Sequence, residues 1–233
     1  MYAERPPDPD LAERIACVWH QVSEKDTTQL VVPDACVDLI WGPDGLFVAG
    51  PDTGPMPTPM AAGDTFVGIR FKPGAVGDVF GVPLHELRDQ RVSLSDLPVP
   101  PIAECAPRPE WRLEAMRSAV RRRLAQADSV DPATFATARA LRAGRTVTEV
   151  VWDLGLSERQ LHRRSVIAFG YAPKTLQRIV RFQRALRLAR AGVPLAEVAA
   201  TAGYTDQAHL SHDVKRLSGV PMRHLVSPVR KAA

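Results

Sequence analysis

Arg159, His162 and Arg163 stand at i, i+3 and i+4, the spacing that brings three side chains to one face of a helix. Two guanidinium groups and an imidazole make a set of hydrogen-bond donors, and a guanidinium can grip guanine O6 and N7 together. The chemistry offered is therefore recognition of nucleic acid. Neither a glycine-rich phosphate loop nor a G-x-S-x-G elbow occurs in the chain, and no HExxH is present. His85-Glu86 has no second histidine on the same helix. The expectation is a protein that is not an enzyme and uses no cofactor.

The residues that must position this face are strongly patterned. Val147, Val150, Val151 and Leu154 repeat at helical spacing, with Thr146 and Glu149 forming a capping box at their start. Gly155 supplies a turn, and Ser157 with Gln160 forms a second capping box at once. The spacing predicts two short helices joined by a glycine turn, a helix-turn-helix whose second helix enters a major groove. The same pattern returns downstream. Leu195, Val198, Ala199 and Ala202 repeat the first face, and Gly203-Tyr204-Thr205 repeats Gly155-Leu156-Ser157. After a one-residue insertion Leu210, Val214 and Gly219 match Leu161, Ser165 and Gly170. Between the motifs, Pro173 to Ala191 reads as one long helix with Lys174, Arg178, Arg181, Arg184 and Arg187 on its polar side. At 1.5 Å per residue it spans roughly 27 Å, near the roughly 34 Å between successive major-groove faces. Arg181 is expected to reach only phosphate or solvent.

Charge divides the 233 residues in the same place. Residues 1–104 hold 7 Lys/Arg against 16 Asp/Glu, whereas residues 105–233 hold 23 against 10, giving a net +4. A basic half behind an acidic half suits a nucleic-acid-binding domain carrying something else. The acidic opening MYAERPPDPD is unlike a secretory leader, and no apolar run approaches a membrane span. Cys17, Cys36 and Cys105 are odd in number and form no CxxC pair, as expected of reduced thiols in a cytoplasmic protein.

Before the helical half, Leu30–Val32, Val37–Trp41, Leu46–Ala49 and Phe66–Phe71 are short apolar runs separated by turn residues. A hairpin is expected at Gly42–Gly45, a proline-rich loop from Gly50 to Gly63, and a small β barrel or sandwich overall. Leu94 to Pro109 reads as an irregular linker. Glu110 to Gln126 then forms a basic helix with Leu113, Met116, Val120 and Leu124 on one stripe, placed as a dimer seam or docked on the DNA domain. The expected organisation is a mainly-β domain at 1–104, a linker with the basic helix at 105–128, and an all-α domain at 129–233.

On these residues the chain is recognisable. Leu154-Gly155-Leu156-Ser157-Glu158-Arg159-Gln160-Leu161, Ala172-Pro173 with its long helix, Ala202-Gly203-Tyr204-Thr205-Asp206-Gln207-Ala208-His209-Leu210-Ser211, and Gly219 resemble the DNA-binding domain of AraC-type bacterial transcription regulators. The resemblance covers residues 131–226. It implies double-stranded DNA as partner, with RNA polymerase as a second partner if the protein is an activator rather than a repressor. It implies base-reading roles for Arg159, His162 and Arg163 in the first recognition helix, and for Gln207, Ser211, His212 and Lys215 in the second. Ser165 and Val214 stand where the family usually has phenylalanine, which implies a lighter core that Phe169 can fill.

Val32-Pro33-Asp34-Ala35-Cys36-Val37-Asp38-Leu39-Ile40-Trp41, Ala49-Gly50-Pro51-Asp52-Thr53 and Gly68-Ile69-Arg70-Phe71-Lys72-Pro73-Gly74 resemble an uncharacterised domain found ahead of such DNA-binding domains. The implied fold is a cupin-like β domain that binds a small-molecule effector or forms a homodimer. Three readings of its polar residues compete. Trp19, His20, Asp34, Asp38, Trp41 and Arg70 can furnish the polar groups of an effector pocket. Cys17, His20 and Cys36 can serve a metal-responsive regulator, although no ligand spacing supports a metal site. Taken singly, the aspartates cap turns, the tryptophans are core and Arg70 pairs with an acidic neighbour. For the whole chain, a non-specific nucleoid-like DNA binder stands as the alternative to a sequence-specific regulator.

Overall fold

A computed structural model describes residues 1–102, 108–127 and 130–226. Cys105 and the expected junctions at 104/105 and 128/129 lie outside the described residues. Eight strands form the N-terminal half: β1 (Tyr2–Arg5), β2 (Ile15–Val22), β3 (Thr27–Val31), β4 (Val37–Gly42), β5 (Gly45–Ala49), β6 (Met56–Met60), β7 (Thr65–Phe71) and β8 (Arg91–Ser93). Six of them make one antiparallel sheet in the order β1-β2-β7-β4-β5-β8, and β3 with β6 makes a separate two-stranded ribbon.

The period-2 alternation of side chains gives the main sheet two different faces. Val18, Ile69 and Leu39 stand in one cross-strand row on the first face. They are buried with Trp41, Val48, Val67 and Phe71. Full burial of such aliphatic side chains contributes roughly 1.5–3 kcal/mol each. Helix α1 (Pro109–Gln126) closes this core by laying Met116, Ala119 and Val120 on it. The expected apolar stripe is the buried one, but its partner is the sheet of its own half. The helix is therefore part of the N-terminal core rather than a linker. Its basic face meets the acidic N-terminal segment: Arg121 bonds Asp8 and, at 2.7 Å, Asp10. Part of the basic surplus downstream of residue 104 is thus neutralised within the chain.

Two further expectations change. The segment after residue 93 is irregular, yet Leu94, Leu97 and Ile102 are buried in the same core, so it packs instead of linking. The proline-rich loop contains β6, whose Pro57 and Pro59 stand opposite Leu30 and Thr28 of β3. Proline is admitted to a sheet at an edge, and β6 is an edge strand.

The C-terminal half is all-helical: α2 (Pro132–Arg142), α3 (Val147–Asp153), α4 (Glu158–Phe169), α5 (Pro173–Arg190), α6 (Leu195–Ala202), α7 (Gln207–Ser218) and α8 (Met222–Val226). Leu176, Ile179, Phe182, Ala185 and Leu186 of α5 run through the middle of a second core, which Leu161, Val198, Leu210 and Val214 complete. The two halves are in contact. Gln183 of α5 donates to Pro33 O at 2.6 Å, and Arg88 donates to Gly170 O at 3.4 Å. Phe169 is buried, and a Cβ at Gly74 would lie 2.6 Å from its ring and 2.6 Å from the Thr134 methyl. No helix among the described residues is long and apolar enough to cross a membrane.

Candidate nucleic-acid interface and effector cavity

Local chemistry builds each recognition helix. Thr146 caps α3 and Ser157 caps α4, each by a complete capping box. Asp206 caps α7 by accepting from His209 N at 2.7 Å. It stands one residue beyond the position matching Ser157, where the inserted residue puts it. Leu161, Ser165 and Phe169 turn α4 inward, while Leu210, Val214 and Leu217 do so for α7.

The opposite faces are open. Arg159, His162 and Arg163 on α4 are exposed, as are Gln207, Ser211, His212 and Lys215 on α7. Ser211 donates its hydroxyl to Gln207 O at 2.8 Å, which occupies it within the helix. The side chains of the other six have no hydrogen bond or ion pair to another described residue, so their donors are available to a ligand. Arg164 differs from its neighbours because it pairs with Asp131 at the start of α2.

Arg181 requires a correction. Its Nη2 lies 3.1 Å from Asp213 Oδ2, and its guanidinium sits 4.3 Å over the Tyr204 ring. Arg178 approaches the same carboxylate at 3.8 Å. Asp213 is buried, so α7 presents an internal anion to α5 and draws Arg181 inward. The side chain braces the second motif instead of reaching only phosphate or solvent.

The second face of the sheet lines a cavity of about 370 Å³, roofed by the β3–β6 ribbon and walled on a third side by α5. Of the six effector-site candidates, Trp19, Asp34, Asp38 and Arg70 line it and His20 and Trp41 do not. Strand alternation separates them: Trp41 is two residues from Leu39, and both belong to the core on the α1 side. His20 is two residues from Val18 and shares that side of β2. The ring of Trp19 lies across Gly68, where a Cβ would come within 2.2 Å of the indole. Only glycine admits that contact.

The polar groups are tightly paired. The β4–β7 register sets Asp38 opposite Arg70, with Arg70 Nε 3.2 Å from its carboxylate and Trp19 Nε1 donating to it at 2.7 Å. Burial raises the Asp38 pKa from 3.8 to about 6, against the pull of Arg70. Asp34 caps the turn before β4 by accepting from Cys36 N at 2.9 Å. Asp52 holds Arg91 through two bonds of 2.9 and 2.8 Å. Sequence reasoning missed Tyr2, Phe47, Phe66 and Arg91, and also Gln183, Leu186 and Arg190 of α5. Strand alternation could have found Phe47 and Phe66. Among the described residues no group of three or more His, Cys, Asp and Glu is placed to hold a metal ion, and Cys17, His20 and Cys36 form no such group.

Comparison with known proteins finds two family matches, one in each half. Residues 153–227 match a helix-turn-helix domain family, and residues 3–93 match a domain of unknown function. No curated protein matches. Among solved structures, apo ToxT K231A from Vibrio cholerae strain SCE256 aligns at 9% identity over 89% of this chain and 96% of that one, with a TM-score of 0.48. ToxT from Vibrio cholerae O395 aligns at 8% identity over 91% and 97%, with the same TM-score.

Proposed function

We propose that this chain, an AraC-type helix-turn-helix domain behind an N-terminal domain of unknown function, is a transcription regulator that reads a specific DNA sequence with two recognition helices in successive major grooves. The observation that carries the reading is the pair of capped helices α4 and α7, each exposing side-chain hydrogen-bond donors without partners among the described residues and both packed on one 18-residue helix. Arg159 and Arg163 supply guanine contacts, and Gln207 can bond adenine N6 and N7. His162, His212 and Lys215 add donors to base edges or phosphates. The bracing of Arg181 by Asp213 and Tyr204 supports a fixed relation between α5 and α7.

Control comes through the cavity. A small-molecule effector seated there touches the sheet, the ribbon and α5 together, so its binding free energy differs between arrangements of the two halves. The protein works in the cytoplasm, where its DNA is. Selection of bound sequences from a random duplex pool tests the reading. Expected is a motif with two contact blocks about one helical turn apart, bound about a thousandfold tighter than scrambled DNA at physiological salt. Binding with a steep salt dependence and no sequence preference would instead identify a nucleoid-like protein.

A further inference from the structure

The polar groups along α5 are distributed unevenly in the cavity. At one end Gln183 reaches Pro33 O, directly beside Asp34. There Arg70 faces three carboxylates, Asp38 at 3.2 Å, Asp34 at 3.8 Å and Glu4 at 3.8 Å, so negative charge is in excess. Asp34 Oδ2 accepts no hydrogen bond among the described residues, since the turn uses only Oδ1. Leu186 continues the wall, and Arg190 follows seven residues after Gln183 on the same face of α5. Seven residues of helix span roughly 10.5 Å. Arg190 has no carboxylate partner among the described residues, so positive charge is in excess at that end. Between the ends the lining carries Trp19, Ile40, Phe47 and Phe66 from the floor and Leu30 and Met60 from the roof, with Gln21, Gln29 and Thr58 as its uncharged polar groups, of which Gln21 already bonds Gln29. The one other charged pair there, Asp52 with Arg91, is neutral within itself.

We infer that the cavity takes a small amphipolar molecule with an ammonium group at Asp34 and a carboxylate at Arg190, separated by an apolar body of roughly 10 Å. The inference rests on the effector role given to this cavity above. Each end then gains a charge-assisted hydrogen bond, and the Arg70–Asp38 and Asp52–Arg91 pairs stay closed. The carboxylate is held by α5 while the ammonium is held by the turn before β4. One molecule therefore spans both halves of the chain, and its binding favours the arrangement in which α5 is docked on the sheet.

Calorimetry on the full chain tests this with ω-aminooctanoate, octylamine and octanoate, three probes sharing one apolar body. The doubly charged probe is expected to bind about tenfold tighter than either singly charged one. Arg190→Gln should reduce ω-aminooctanoate to the affinity of octylamine. Asp34→Asn should reduce it to that of octanoate, while its amide oxygen still accepts from Cys36 N and keeps the turn. Circular dichroism confirms that both variants are folded. Equal binding of the three probes, binding of octanoate alone, no binding at all, or an unchanged preference in both folded variants would overturn the assignment. DNA selectivity, measured without any probe, is a separate readout. If it persists while the probes fail, only the ligand class is wrong, and if it is absent the regulator reading fails by itself.

Discussion

Arg181 on the spacer helix and Asp213 on the second recognition helix meet at 3.1 Å across two elements that lie 32 residues apart in sequence. Asp213 is buried and Arg178 also faces it, so its removal leaves two guanidinium groups short of an anion. Asp213→Asn should lower stability by roughly 3 kcal/mol, read from denaturant midpoints. Base preference should weaken first in the block contacted by α7. Arg181→Ala should reduce stability as well, with little change in the salt dependence of DNA binding. A slope shallower by about one would show that Arg181 also holds a phosphate.

Arg163 has no hydrogen-bond or ion-pair partner among the described residues, so its replacement should leave stability unchanged and act on DNA alone. Arg163→Ala should cost about 1–3 kcal/mol on the preferred site and relax selection at one or two base pairs. Equal affinity for matched and altered sites in the wild type would refute base reading by α4.

Gly170 tests the contact between the halves. Its φ is 81°, and a Cβ there would fall 2.6 Å from Pro51 Cγ and 3.0 Å from Leu84 O. In the full chain Gly170→Ala should cost about 1–3 kcal/mol from strain and the lost docking contact. A fragment of residues 129–233 has most of the second core and is expected to fold and bind DNA at low salt. There the same substitution should cost only its backbone strain, about 1 kcal/mol. Equal costs in both would place the two halves out of contact in solution.

The buried Asp38 makes a signed pH prediction. Its folded pKa is lifted by burial from 3.8 to about 6, with Arg70 opposing, Asp34 adding to the rise and Trp19 donating to the ionised form. A raised carboxyl pKa contributes stability that is full below pH 4 and is lost as pH climbs through 6. Relative to Asp38→Asn, the wild-type chain should therefore lose stability between pH 4 and 7. A difference that grows in the opposite direction would mean that Arg70 outweighs burial.

How much could be read beforehand followed the range of the forces involved. Capping boxes act over three residues, so Thr146–Glu149 and Ser157–Gln160 were legible, and with them the exposed face of α4. Pairing between distant residues was not. Arg181 looked solvated because nothing local names Asp213 as its partner. Trp19 and Trp41 looked alike as pocket residues until strand register sent them to opposite faces. Ribbon strand β6 was hidden because prolines in a row are ordinarily a loop signal. The wall contributed by α5 had no signature, since Gln183, Leu186 and Arg190 also fit an ordinary helix face.

The prolines of β6 carry a consequence for self-association. Pro57 and Pro59 are two residues apart, so their nitrogens point to the same edge, and a ladder with β3 that uses donors from β6 must draw them from Met56, Thr58 and Met60. The free edge then offers carbonyl acceptors with no N–H at two successive sites. A strand from another molecule arriving there finds half of its hydrogen bonds missing, and the ribbon ends a sheet where an ordinary edge would extend one. A dimer of this chain built by strand addition therefore has to use another edge than the proline edge of β6.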